Sequence, residues 1–376
     1  MLATLVAVVL AMAGGAAASP EQVMSLLEAE KYSEALREGK NAVEGAPSSA
    51  EAHHAYGVVL HSVFRRGEAA RQLERAHQLA PDDAAIAVDL GWVLAETGKL
   101  DRARALAAGA KGGGAAADAL IAWLDRDAKL RAEPKTPPPP GGASAYVAQV
   151  MEKLARGEID GFLRDDIDRA VLDRWVREVG GSSGSADEFI AGMTKGIREA
   201  ASARGAGFSL RGHEIGGESA REGGPTVVTV AMLVESRATD QQIAMFERAV
   251  VDPSLPVPMD PTLAKVLRGL EPADRKATLG ALAQHSTVSE VQLEFEVTRG
   301  AAGGWKVVDV REPDSGLRLS QVAGMTRDLA DRGLVDVPKR RNRAYEIGQS
   351  VGRLLGSLLV LALFVALWRR HRRRKG

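Results

Sequence analysis

Cysteine is absent from the 376 residues. Disulfides, thiolate metal sites and a cysteine nucleophile are thereby excluded, while the compartment is left open. Aromatic residues make up only 4% of the chain, which leaves little to line an aromatic ligand cavity. Neither sign of charge is in excess, because 49 Lys and Arg balance 49 Asp and Glu. The chain as a whole has no pull toward nucleic acid, and any basic surface is local. No GxSxG, HExxH or P-loop occurs, so no enzymatic activity and no cofactor are expected.

Long apolar runs are present only at the two ends. The first, MLATLVAVVLAMAGGAAAS, closes on Ala16, Ala17 and Ala18, a small-residue pattern suited to signal peptidase. Residues 1–18 read as a signal peptide. No Lys or Arg precedes the apolar run, so an uncleaved anchor is the alternative. Ser19, Pro20 and Gln22 then make a helix start, with a Ser cap and Pro in the first turn.

The second apolar run, 348–368, carries one charge, Arg353. Its length at helical rise is about 30 Å, enough for one membrane span. Six Lys and Arg follow in 369–376, as befits a cytoplasmic tail. Lys339, Arg340, Arg341 and Arg343 flank the other side, so the orientation rests on the signal peptide. The expectation is a single-pass protein of the inner (cytoplasmic) membrane, with its body on the periplasmic side. Gly348, Gly352 and Gly356 recur every fourth residue. Such a row lets two membrane helices approach closely and predicts a homodimer; the alternative is a glycine-marked helix start at the interface.

Between the ends a period of 34 residues emerges. Gly57 and Gly91 share a place, as do Ala35, Ala69 and Ala103, and Ala42, Ala76 and Ala110. Pro47 and Pro81 coincide, each after a predicted helix, and Tyr32 and Leu100 share a bulky position. Small residues at fixed places let two antiparallel helices cross closely, and Pro ends a helix because it has no N–H to donate.

This pattern resembles tetratricopeptide repeats over 20–131, with 50–83 as the fullest unit. A shortened first helix precedes it, and a capping helix follows near Asp118 to Leu130. The resemblance implies a stack of helix pairs over 19–132, in which the leading helices line a groove for a protein or peptide. Carried over by position, the groove residues are Glu51, His54, Val58 and His61, then Val88, Trp92 and Glu96. His54 and His61 lie seven apart on one helix, but no further ligand is in register and no metal is expected.

Residues 133–144 contain four consecutive prolines and two glycines, a stiff spacer with a joint. Beyond it, 145–337 begins with three helical segments and ends in strands. VSEVQLEFEVT alternates strictly, with Val291, Leu293, Phe295 and Val297 on one face and Glu290, Gln292, Glu294 and Glu296 on the other. A helical insertion, 237–285, interrupts the strands. Helices followed by antiparallel strands predict an α+β domain with a curved sheet.

GGWKVVDV, 303–310, is similar to the last strand of cone-like domains of the nuclear-transport-factor-2 type, and 145–335 resembles in scattered blocks the phospholipid shuttles of the Mla pathway. That resemblance implies a cavity able to take a phospholipid. His213 and Asp309 are the polar groups on its strands that a cavity enzyme would use. The fold class expected is thus multidomain: an all-α solenoid, an α+β cone, and one transmembrane helix. The function expected is a membrane-anchored scaffold binding a protein partner, the alternative a lipid-handling accessory protein.

Overall fold

The computed structural model describes residues 18–321, apart from 111–112, 133–136, 159–160, 179–185, 203–206, 221, 239, 256–260, 301–302, 314–315 and 317. The expected signal peptide up to residue 17, the membrane span at 348–368 with Gly348, Gly352 and Gly356, and the basic tail lie outside the described residues. Those described are mostly helical and add one four-stranded antiparallel sheet. Among them no helix is long and apolar enough to cross a membrane. They divide into two compact units, 18–122 with 263–285, and 123–262 with 286–321.

The first unit opens with six helices: α1 (Pro20–Glu28), α2 (Tyr32–Gly45), α3 (Ala50–Ser62), α4 (Arg66–Leu79), α5 (Ala84–Glu96) and α6 (Leu100–Gly109). Each packs against the next, and α1 and α3, like α3 and α5, also touch. The local chemistry repeats every 34 residues. Ser49 caps α3 by accepting from the Ala52 N–H at 3.0 Å, and Asp83 caps α5 through Ala85 and Ile86 at 2.9 and 3.1 Å. Ser19 caps the shorter α1 through Gln22.

Glu30, Phe64 and Gly98, again 34 apart, end α1, α3 and α5 in the left-handed conformation, at φ 61°, 63° and 80°. The next amide then closes back on the helix, Lys31 to Leu26, Arg65 to Leu60 and Lys99 to Leu94, at 2.8–2.9 Å. The glycines mark close crossings. A Cβ on Gly57 would stand 2.7 Å from Leu73 Cγ, and one on Gly91 2.5 Å from Leu120 Cδ2.

Helix α7 (Gly114–Arg131) follows; its residues to Ala122 group with the first unit and those from Trp123 with the second. The second unit continues with α8 (Ala143–Ala155), a π-helical turn at Phe162–Asp166, α9 (Arg169–Glu178) and α10 (Ala186–Ser202). Strands β1 (Gly207–Ala220), β2 (Thr226–Arg237), β3 (Thr287–Arg299) and β4 (Trp305–Arg311) pair in sequence order, all antiparallel. Between β2 and β3 stand α11 (Asp240–Val251), α12 (Pro261–Gly269) and α13 (Pro272–Gln284). Residues 263–285 of this insertion group with the helix pairs of the first unit.

Pairing puts Val228, Val230, Met232 and Val234 of β2 on the same face as Val291, Leu293, Phe295 and Val297 of β3. All eight are buried. The opposite face is not simply wet. At one end Leu130 packs with Ala231, Leu233 and Val288, while Arg126 donates to Glu290 at 3.1 Å and pairs with Glu214. At the other end Glu296 is itself buried. Glu290 and Glu296 are therefore closed off by arginines from outside the sheet, Arg126 and Arg318, while Glu294 pairs with Arg311 of β4 itself.

The glycines after the prolines are tied down rather than left as an open joint. Trp305 Nε1 donates to the Gly141 carbonyl at 3.1 Å, and Arg299, stacked on the Trp305 ring at 4.6 Å, reaches the same oxygen. Two residues past Gly142, the Ser144 hydroxyl donates to Glu218 at 2.8 Å.

Candidate partner-binding face and polar clusters

The leading helices α3 and α5 carry all seven residues marked as a groove. Because the repeat is 34 long and the helices lie side by side, a residue meets its neighbour about 35 positions on. His54 Nε2 sits 2.7 Å from Asp89 Oδ2, and His61 Nε2 sits 3.0 Å from Glu96 Oε2. The two rungs are one heptad apart, so they fall on the same helix face. Arg66, at the start of α4, donates to Glu96 at 2.8 Å and stacks 5.4 Å over Phe64.

Glu96 is held as a carboxylate. Burial pushes its pKa up, but His61 and Arg66 more than offset that and hold it far below the usual carboxylate range. Glu51 is exposed and accepts from the Ser49 hydroxyl at 2.8 Å, and Val58 is half-buried. Val88 is withdrawn into a cluster with Ala87, Ala110 and Ala117, against which Trp92 and Leu106 pack. The solvent-reachable part of the face is therefore exposed Glu51 with half-buried His54, Val58 and Asp89, while Val88 and Trp92 help to hold α7. Asp89 was not legible as part of the face, although its place one residue after Val88 on α5 is the available signal.

His53, next to His54, is buried and faces away from that surface. Its Nε2 donates to the Pro47 carbonyl at 3.0 Å, and its Nδ1 lies 2.7 Å from Gln72. It fastens the turn in which the preceding helix ends.

In the second unit the two strand residues with catalytic potential have distinct surroundings. Asp309 lies opposite Glu296 in the β3–β4 ladder, and Arg318 bridges both at 3.1 Å. The Ser320 hydroxyl donates to Asp309 at 2.7 Å. His213 lies opposite Met232, on the apolar face; burial pushes its imidazole down, with a smaller opposing pull from Glu152. A cluster with no sequence signal surrounds the π-helical turn. Asp166, buried, takes Lys153 Nζ at 2.8 Å, and the Tyr146 hydroxyl donates to its carbonyl at 3.0 Å. Burial, then the Asp166 charge, pushes the Tyr146 hydroxyl pKa up, so it stays protonated as a donor.

Among the described residues no three His, Asp or Glu side chains converge as a metal site. The chain matches no family model, no curated protein and no solved structure.

Proposed function

We propose that the chain is a membrane-tethered envelope scaffold that binds a protein or peptide on the α3–α5 face of a tetratricopeptide-type stack. The observation that carries this reading is the 34-residue repetition, seen in caps, left-handed turns and close-crossing glycines alike. A stack of this kind presents an extended surface and brings no reactive constellation of its own. The polar clusters support the same side of the choice. Glu96, Asp309 and Asp166 are each engaged by a cation, an arrangement that fixes structure rather than waits for a substrate.

The second unit is proposed as an α+β cone serving the scaffold. The anchor is the apolar run at 348–368, with Gly348, Gly352 and Gly356 as its self-association row.

Site-specific photo-crosslinking in native membranes tests the reading on the full chain. A crosslinker in place of Glu51 or Val58 should trap one discrete protein, and one in place of Arg71, exposed on α4, should not. Equal labelling from all three positions, or adducts only with phospholipid, would remove the partner-binding claim and favour the lipid reading.

A further inference from the structure

Helix α13 begins without a cap of its own. Its N-cap residue, Glu271, makes no side-chain hydrogen bond to the first turn. Ser33, 238 residues earlier at the start of α2, supplies the group. Its hydroxyl accepts from the Glu271 N–H at 2.8 Å and donates to Asp274 Oδ2 at 2.9 Å. In a capping box the carboxylate at the third position reaches back to the N-cap amide directly. Here a hydroxyl from another helix is inserted between the two halves of the box.

The other end of α13 repeats the contact one hairpin on. His285 lies directly against Gly67, where any Cβ would overlap the imidazole. Ser33 and Gly67 are 34 residues apart and occupy the same place in successive helix pairs. A helix of 13 residues is about 20 Å long, so α13 lies along the edge made by two hairpin turns. Asp274 also stands 4.0 Å from Arg65, in the second of those turns.

Helix α12 adds a Lys265–Glu30 ion pair, and Gly269 backs onto Tyr32, 2.9 Å from where its Cβ would stand to Cδ2 of the ring. Arg275 binds the two helices together through the Leu267 and Leu270 carbonyls at 2.7 and 3.0 Å. Their apolar side chains, Leu263, Val266, Leu267, Leu279 and Leu282, are all at most 2% exposed.

We propose that residues 261–285 form a clasp, a built-in ligand of the helix-pair unit that fixes the register of its first two hairpins. The backbone gives the reason those two need it. Their turns place Glu30 and Phe64 in the left-handed region, which is sterically unfavourable for a residue with a Cβ. The third turn uses Gly98, which adopts that conformation freely, and its equivalent of Ser33, Asp101, is exposed. The proposal stands whether or not the stack binds a partner.

The absence of cysteine makes the test clean. In the full chain, Ser33→Cys with Asp274→Cys should be joined by a short thiol crosslinker. Asp101→Cys with Asp274→Cys should not. In a separate exchange experiment, Ser33→Ala should speed amide exchange in α2 and α13 by about tenfold, the worth of its two hydrogen bonds. Strands β2 and β3 should be unchanged, and Ser33→Thr, which keeps the hydroxyl, should restore the rate. Equal crosslinking of both pairs, or an unaltered exchange pattern in Ser33→Ala, overturns the proposal.

Discussion

Arg66 donates to Glu96 at 2.8 Å, linking the first residue of one helix to the last residue of another, 30 positions on. The pair is nearly dry, with side-chain exposures of 6% and 16%. Its removal by Glu96→Ala leaves a buried guanidinium without its carboxylate, and a loss of about 3 kcal/mol in unfolding free energy is expected. Urea titration of the full chain measures it.

The same carboxylate sets an acid limit. Its folded pKa lies below its unfolded value near 4.5, so its contribution is complete above that pH. As pH falls below about 4.5 the unfolded chain takes up the proton first, and the stabilisation declines. Unfolding free energy should therefore drop from about pH 4.5 downward, and Glu96→Gln should flatten that drop. Parallel curves for the two proteins would show that other carboxylates govern the acid limb.

The close crossings make an internally controlled comparison. Gly57→Val forces a branched side chain toward Leu73 and should cost about 2 kcal/mol through overpacking. Gly280, inside α13, has open space where its Cβ would stand. Gly280→Ala should therefore raise stability by about 0.5–1 kcal/mol through helix propensity alone. Thermal unfolding of both variants decides whether proximity, rather than glycine itself, is the determinant.

The helix pairs were legible because their determinants are local and periodic. Gly57 with Gly91, Ala69 with Ala103 and Pro47 with Pro81 recur at a fixed spacing, and the helices they predict are present. Strand β3 was legible from its strict alternation, and β4 from the likeness of 303–310 to a closing strand. The docking of 261–285 was not, because a contact such as Ser33 with Asp274 joins residues 241 apart and leaves no period. For the same reason, alternation marked Glu296 as wet. It reports which face a residue takes, but not that Arg318 covers that face. On the candidate face, His54 and His61 were identified by position, whereas their pairing with Asp89 and Glu96 depends on how adjacent helices stagger.

Arg318 supplies the last prediction. It stands between Glu296 and Asp309, two carboxylates that face each other across the β3–β4 ladder and are each 7% exposed. Without the guanidinium these like charges would meet in a poorly solvated place, and the least costly response is for one of them to take a proton. Arg318→Ala should therefore destabilise the second unit by about 2 kcal/mol near neutral pH, and the deficit should shrink as the solution is acidified. Adding Asp309→Asn removes one of the opposed charges, so the double variant should recover part of the loss at neutral pH. A cavity acid would behave differently: Asp309→Asn on its own would leave stability unchanged while abolishing a reaction. If Asp309→Asn alone destabilises the chain and the double variant is less than additive, the carboxylate is half of a structural bridge that pins the Arg318–Ser320 segment to the sheet.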